Sequence, residues 1–215
     1  MNSNKATSSD DQRNINLYSS LLQEHGDSFK SLNWGSKASQ QLRFKILAEI
    51  GFNVGDTVLD VGCGLGDLWQ WLDENQQTVS YTGVDITPEM VKRASKRFPD
   101  INFIESSISE NHFQKYDEFD FVVASGIFAH RQNNPVEFFH QTILNMYKKS
   151  KKGVAFNCLS SWLEDQEEGE FYADPLETVE YCRSISKKIV LRHDYHHGDF
   201  TIYMYKTDSA VKGKI

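Results

Sequence analysis

From residue 15 to residue 205, short β-rich runs alternate with amphipathic helical stretches. Ile15, Tyr18, Leu21 and Leu22 share one face of a helix over 15–25, and Leu42, Phe44, Ile46, Leu47 and Ile50 share one over 40–50. Strands are predicted over 57–61, 79–84, 101–105, 119–124 and 154–159. Between them lie a helix ending near 76, one over 88–98 and one over 135–149. A last helix, over 175–186, precedes two strands over 188–193 and 200–205. Thr87 and Asp174 stand as N-caps, each followed by a proline at the first helical position. The last two strands are joined by a few residues, so they pair antiparallel. Alternation through the rest of the chain predicts a parallel α/β sheet with helices on both faces. In such sheets ligands bind beyond the carboxyl ends of the strands, where the strand order reverses.

The ends differ from this pattern. Residues 1–14 and 207–215 are polar, and both read as frayed tails. No repeat, linker or proline cluster divides 15–206, which reads as one domain. Composition agrees: 39% of the 215 residues are hydrophobic, and 14 Phe, 9 Tyr and 4 Trp supply a packed core. No apolar run is long enough for a membrane span, and the N-terminus has no signal-peptide core. A net charge of −7 argues against binding nucleic acid through its phosphates. Cys63, Cys158 and Cys182 form no CxxC pair, so reduced thiols in a cytoplasmic setting are expected.

The candidate chemistry begins at Val58-Leu59-Asp60-Val61-Gly62-Cys63-Gly64-Leu65-Gly66-Asp67. A strand runs into three glycines at alternate positions and then a helix. One glycine would serve a tight turn; three suit a loop that a ligand approaches. The third comes one residue too early for the G-x-G-x-x-G dinucleotide fingerprint. Asp60 and Asp67 put negative charge where a pyrophosphate would sit, and would suit a cationic amino acid moiety. Tyr81-Thr82-Gly83-Val84-Asp85 then places a carboxylate at the end of the second strand, where it can accept from both hydroxyls of a ribose. A lone Asp there would be a helix cap; beside the glycine loop, the ribose reading is stronger.

VLDVGCGLGD, then GVD, then FDFVVASGIFAH resembles the class I S-adenosylmethionine-dependent methyltransferases, over roughly residues 40–206. The whole pattern, including WGSKASQQLRF and HDYHHGDFTIYMY, resembles small bacterial members whose substrates are generally unassigned. The resemblance implies a doubly wound, Rossmann-like sheet of seven strands, six parallel and one antiparallel. It implies S-adenosylmethionine as cofactor, with S-adenosylhomocysteine as product. By position, Gly62, Cys63 and Gly64 should lie against the methionine part, with Asp60 near its amino group and Asp67 beside the loop. Asp85 should hold the ribose and Ile86 pack on the adenine. Ser106, Ser107 and Ile108 should border the adenine, with Ser107 where the family often has an acid. Ser125 and Gly126 should lie under the sulfonium.

Three further groups carry two readings each. Trp34, Ser36 and Arg43 are a packing ring, an N-cap and a solvated cation, or else a segment over 15–50 closing on the cofactor. In the second case Arg43 reaches the methionine carboxylate, with Tyr18 nearby. His130 and Tyr195 are candidates to orient the acceptor or take its proton; His193, His196, His197 and Asp199 are expected to hold no metal. The stretch 163–180 has eight acids and no Lys or Arg. It is a solvated loop, or a lid over about 160–175 whose Trp162, Phe171 and Tyr172 line an acceptor pocket. That pocket is expected from 128–131, 159–172 and 194–197. The main expectation is methyl transfer to O, N or C of a small molecule. A protein or RNA methyltransferase and a non-catalytic S-adenosylmethionine-binding module are the rivals.

Overall fold

A computed structural model describes residues 8–107 and 117–206. Helix α1 (Ser9–His25) leads through a 3-10 turn (Phe29–Leu32) into α2 (Lys37–Ala48). There follow β1 (Thr57–Val61), α3 (Asp67–Glu74), β2 (Ser80–Asp85), α4 (Pro88–Arg97) and β3 (Asn102–Glu105). Next come β4 (Phe119–Ala124), α5 (Pro135–Lys149), β5 (Ser150–Ser160) and β6 (Tyr172–Ala173). The chain closes with α6 (Pro175–Ile185), β7 (Lys188–Arg192) and β8 (Asp199–Tyr205).

The strands form one sheet in the order β3-β2-β1-β4-β5-β8-β7, and the short β6 pairs beside β5. β3, β2, β1, β4 and β5 pair in parallel, while β8 runs antiparallel to both β5 and β7. The chain goes from β1 outward to β2 and β3, then returns to place β4 on the other side of β1. That reversal leaves a crevice at the carboxyl ends of β1 and β4.

Side chains alternate across the sheet, so each central strand feeds two cores. Leu59, Val61, Val122 and Ala124 face one core with Phe139, Ile143 and Met146 of α5. Those three α5 residues repeat at i, i+4 and i+7, the stripe that buries one helical face. Val58, Phe121 and Val123 face the other core with Phe44 and Leu47 of α2 and Leu68 and Leu72 of α3. Truncating a fully buried ring such as Phe139 should cost about 3–5 kcal/mol.

Three expectations change. Residues 8–14 are not a tail: Ser8 caps α1, accepting from the Asp11 amide at 3.0 Å, and the helix starts at Ser9. That stretch is polar, so hydrophobic periodicity could not mark it. The strand expected over 154–159 extends over Ser150–Ser160, because pairing with both β4 and β8 carries it past its apolar centre. Thr87 occupies the N-cap of α4, but its side chain makes no capping bond. Asp174 does cap α6, accepting from Leu176 and Glu177 amides. The expected tails over 1–7 and 207–215 lie outside the described residues.

Candidate active site

The floor of the crevice is the turn out of β1. Gly62 and Gly64 have φ of 75° and 52°, a region that side chains with a Cβ rarely adopt. A Cβ on Gly62 would collide with Ile127, and one on Gly64 would lie 2.6 Å from Leu32 Cδ2. The Gly62 and Cys63 amides donate to Val84 O at 2.8 and 3.0 Å, binding the turn to the end of β2. The Gly64 amide donates to Asp85 Oδ2 at 2.9 Å, and the Thr87 amide donates to Asp85 Oδ1 at 2.8 Å. Asp85 therefore clamps the loop, and the Thr87 hydroxyl and the Ile86 amide also bear on its carboxylate. Burial pushes its carboxyl upward against the pull of these amides.

Asp60 stands one pleat back from the turn and is buried. Tyr81 donates its hydroxyl to Asp60 Oδ2 at 2.6 Å. Burial pushes Asp60 up to about 7, with the Tyr81 bond opposing and the charge of Asp85 adding to the rise. Asp67, the first residue of α3, pairs with Arg97 at 2.9 Å and accepts from the Gln40 side-chain Nε2 at 3.1 Å.

Above this floor lies a cavity of about 270 Å³. Trp34 closes over Gly126, where a Cβ would stand 3.1 Å from the ring. Arg43 is buried beside it, its guanidinium carbon 5.4 Å from the Trp34 ring centroid. Arg43 Nη1 donates to Ser39 O and Oγ, and Nη2 pairs with buried Asp199, but Nε is buried without a hydrogen-bond partner. Under Trp34, Asn157 of β5 accepts from the Gly126 amide at 2.9 Å and donates to Ser125 Oγ at 3.1 Å. Nothing in the motif reading pointed to Asn157, although a lone amide inside the apolar run 154–159 was a visible signal.

The far wall joins three segments. Tyr18 of α1 meets His130 edge-on, ring centroids 5.6 Å apart. His130 forms a β-bridge with Glu170, and the neighbouring Phe171 amide donates to Ala129 O at 2.8 Å. His130 Nε2 is buried and has no partner; burial holds the ring below its ordinary range, with Arg13 adding to the fall and Glu170 opposing it. Burial, then Asp85 and Glu170, push the Tyr18 hydroxyl upward.

Most of the expected residues meet in this one cavity. Tyr18, Trp34, Arg43, Asp60 and Asp67 line it, as do the Gly62–Gly64 loop, Asp85 and Ile86. Ser106, Ser125, Gly126 and His130 complete the set. Ser36 does not: exposed, it caps α2 by accepting from the Ser39 amide at 3.0 Å. Ser107 follows β3 outside the lining, and Ile108 lies outside the described residues. Tyr195 is a correction. It packs with the α2–α3 core and bonds Thr201 Oγ1 at 2.9 Å, so none of the turn 194–197 reaches the cavity.

The acidic loop is a second correction. Trp162 is half exposed, Phe171 packs into the α5–α6 core, and the Tyr172 hydroxyl donates to Glu170, so none of the three lines the cavity. Glu170 does, alone among the eight acids of 163–180. Leu159, Ala129 and His130 line the cavity from the segments expected for the acceptor pocket, whereas Asp11, Asn14, Met90, Phe138 and Asp199 line it without having been expected as binding residues. Among the described residues no group of three or more His, Cys, Asp or Glu is arranged to hold a metal ion. No described helix is long and apolar enough to cross a membrane.

A family model described as a methyltransferase domain matches residues 58–150, from β1 to the start of β5. A protein of Mycobacterium tuberculosis (strain ATCC 25618 / H37Rv) that bears a methyltransferase name is 34% identical over 160 residues, 70% of this chain and 93% of that protein. The chain belongs to the class I S-adenosylmethionine-dependent methyltransferases. Trans-aconitate 2-methyltransferase of Rhodopseudomonas palustris (strain BisB18) is 32% identical over 100 residues. That match takes in 42% of this chain and 38% of the relative. The magnesium protoporphyrin IX methyltransferase of Synechocystis PCC 6803, solved with bound S-adenosylmethionine, has the same fold. It superposes with a TM-score of 0.66 at 13% identity, covering 94% of this chain and all of that one.

Proposed function

We propose that this methyltransferase holds S-adenosylmethionine along the carboxyl ends of β1, β2 and β4. From there it transfers the methyl group to a small-molecule acceptor lying against α1, the turn after β4 and Glu170. The observation that carries this reading is one continuous cavity, lined by the glycine loop and Asp85 and equally by Tyr18, His130 and Glu170.

The residues fit the cofactor. Arg43 lines the cavity, and its buried, unpartnered Nε is the donor proposed for the methionine carboxylate. Asp60 offers a carboxylate for the ammonium, and the Asp85 carboxylate in the lining suits the ribose hydroxyls. Ile86, Met90 and buried Ser106 supply an apolar face with one polar edge for the adenine. The bound cofactor supplies an activated methyl group on a sulfonium leaving group. The protein's work is then alignment and exclusion of water. Asn157 holds the 125–126 turn, Trp34 covers it, and His130 Nε2 stands ready to accept a proton.

The roof favours a small acceptor over a macromolecule. The Asn133 amide donates to Asp10 at 3.1 Å and Arg13 donates to Arg131 O at 3.1 Å, so α1 is latched across the cavity. The three cysteines are free and buried, which supports the reading of a reducing, cytoplasmic setting. Incubation with methyl-labelled S-adenosylmethionine and a metabolite extract tests the reaction: label should appear in small molecules. Label confined to protein or RNA, or no cofactor binding by calorimetry, would reject the reading.

A further inference from the structure

The cofactor and the fold account for most of the cavity's charge. Asp67 is paired with Arg97, and Asp199 with Arg43. Asp60 accepts from the Tyr81 hydroxyl, and Asp85 clamps the glycine loop. Two carboxylates remain, Asp11 of α1 and Glu170 of the acidic loop, and among the described residues no cation pairs with either. Among the described residues Arg43 is the only Lys or Arg in the lining, and its charge is committed to Asp199. Arg13, near His130, is committed to Asp10 at 2.8 Å. Glu170 is placed by its β-bridge to His130 and by the Tyr172 hydroxyl at 2.7 Å. Tyr18, Phe138 and His130 also line the cavity, and His130 Nε2 is buried without a hydrogen-bond partner.

Resting on the cofactor reading above, we propose that this chamber takes an amine, held as its ammonium ion by Asp11 and Glu170 and methylated on nitrogen. Two carboxylates and two aromatic faces attract a cation and repel an anion. A carboxylate acceptor, of the kind named by the trans-aconitate relative, would meet unpaired negative charge and, among the described residues, no free cation. The step balances. The ammonium gives one proton to His130 Nε2, and the freed lone pair forms the N–C bond to the methyl carbon. The C–S bond breaks with its electron pair left on sulfur. The products are an N-methylammonium ion and S-adenosylhomocysteine. A neutral His130 is required for the first transfer, and burial of the ring favours that form.

The test is calorimetry on the full chain saturated with S-adenosylhomocysteine. Phenethylamine is titrated against its neutral and anionic counterparts, 2-phenylethanol and 3-phenylpropionate. The amine should bind at least about tenfold tighter than either. Glu170→Gln should reduce amine affinity by about tenfold while changing S-adenosylhomocysteine affinity by less than about twofold. Asp11→Asn carries the same test should Glu170→Gln fail to fold. Tighter binding of the carboxylate, no binding of the amine at about 10 mM, or amine affinity indifferent to both substitutions would overturn the proposal. If S-adenosylhomocysteine binds normally in that outcome, only the acceptor class falls. If S-adenosylhomocysteine itself does not bind, the cofactor reading fails and takes the amine with it.

Discussion

The two ends of the cavity are built differently. At the cofactor end, the Gly62–Asp67 turn is bound to the end of β2 by main-chain bonds to Val84 and by the Asp85 carboxylate, 21 residues from Gly64. At the acceptor end, Tyr18, His130 and Glu170 come from three distant segments, and the latch from Arg13 to Arg131 O spans 118 residues. The first end is a property of two strand-to-helix turns side by side in a parallel sheet. The second depends on where a helix, a turn and a loop settle on that sheet. On the proposed reading, methyl-donor binding is carried by a short stretch of sequence, whereas acceptor choice rests on three segments far apart in the chain.

Substitutions at the cofactor end should have the largest effects. Gly64→Val forces a β-branched residue into a left-handed φ and into Leu32, so cofactor affinity should fall by at least about a hundredfold. Calorimetry with S-adenosylhomocysteine measures it, and a fully binding variant would show that the loop does not meet the ligand. Asp85→Ala should weaken binding by about 2–3 kcal/mol, because the ribose hydroxyls and the Gly64 amide lose a charged acceptor. Unchanged affinity with lowered stability would reduce Asp85 to a structural clamp.

Asp60 makes a pH test with a defined sign. Its folded-state carboxyl is raised from 3.8 to about 7, so between those values the folded chain holds a proton that the unfolded chain has lost. Through this group, stability of the ligand-free protein should fall as pH rises across that window. Asp60→Asn should flatten the slope, read from urea melts at about pH 5 and about pH 8. A bound ammonium would favour the carboxylate, so cofactor affinity should rise with pH through the same upper limit. The smallest effect belongs to Tyr195→Phe. It loses one hydrogen bond to Thr201 and does not itself line the cavity, so it should cost about 1 kcal/mol of stability and leave turnover within about twofold. A large loss of turnover would reopen the turn 194–197 as part of the acceptor end.

These contrasts follow what could be read along the chain. The strand-loop-helix at 57–74 carries its own turn chemistry, because positive φ demands glycine wherever the turn is used. The start of α1 escaped periodicity because residues 8–14 are polar: they cap a helix and roof a cavity rather than fill a core. Glu170 was one of eight acids with nothing local to separate it from the others. A two-residue strand and a β-bridge to His130 single it out. Tyr195 failed in the opposite way: its position beyond β7 suggested the rim, but the turn folds its ring against the α2–α3 core.

The amino-acid sequence by itself determined the alternating α/β order, the glycine turn with Asp60 and Asp85, and thereby the methyltransferase family. Those features are written in residues adjacent to one another, where backbone conformation and strand pairing act at short range. Only the tertiary structure decided that Arg43 pairs with Asp199 yet keeps Nε free, that Asn157 holds the turn at Gly126, and that Asp11, Tyr18, His130 and Glu170 face one chamber. Those relations join segments far apart in the chain. A side chain's partner there depends on how whole helices and loops pack, which no local pattern of residues encodes.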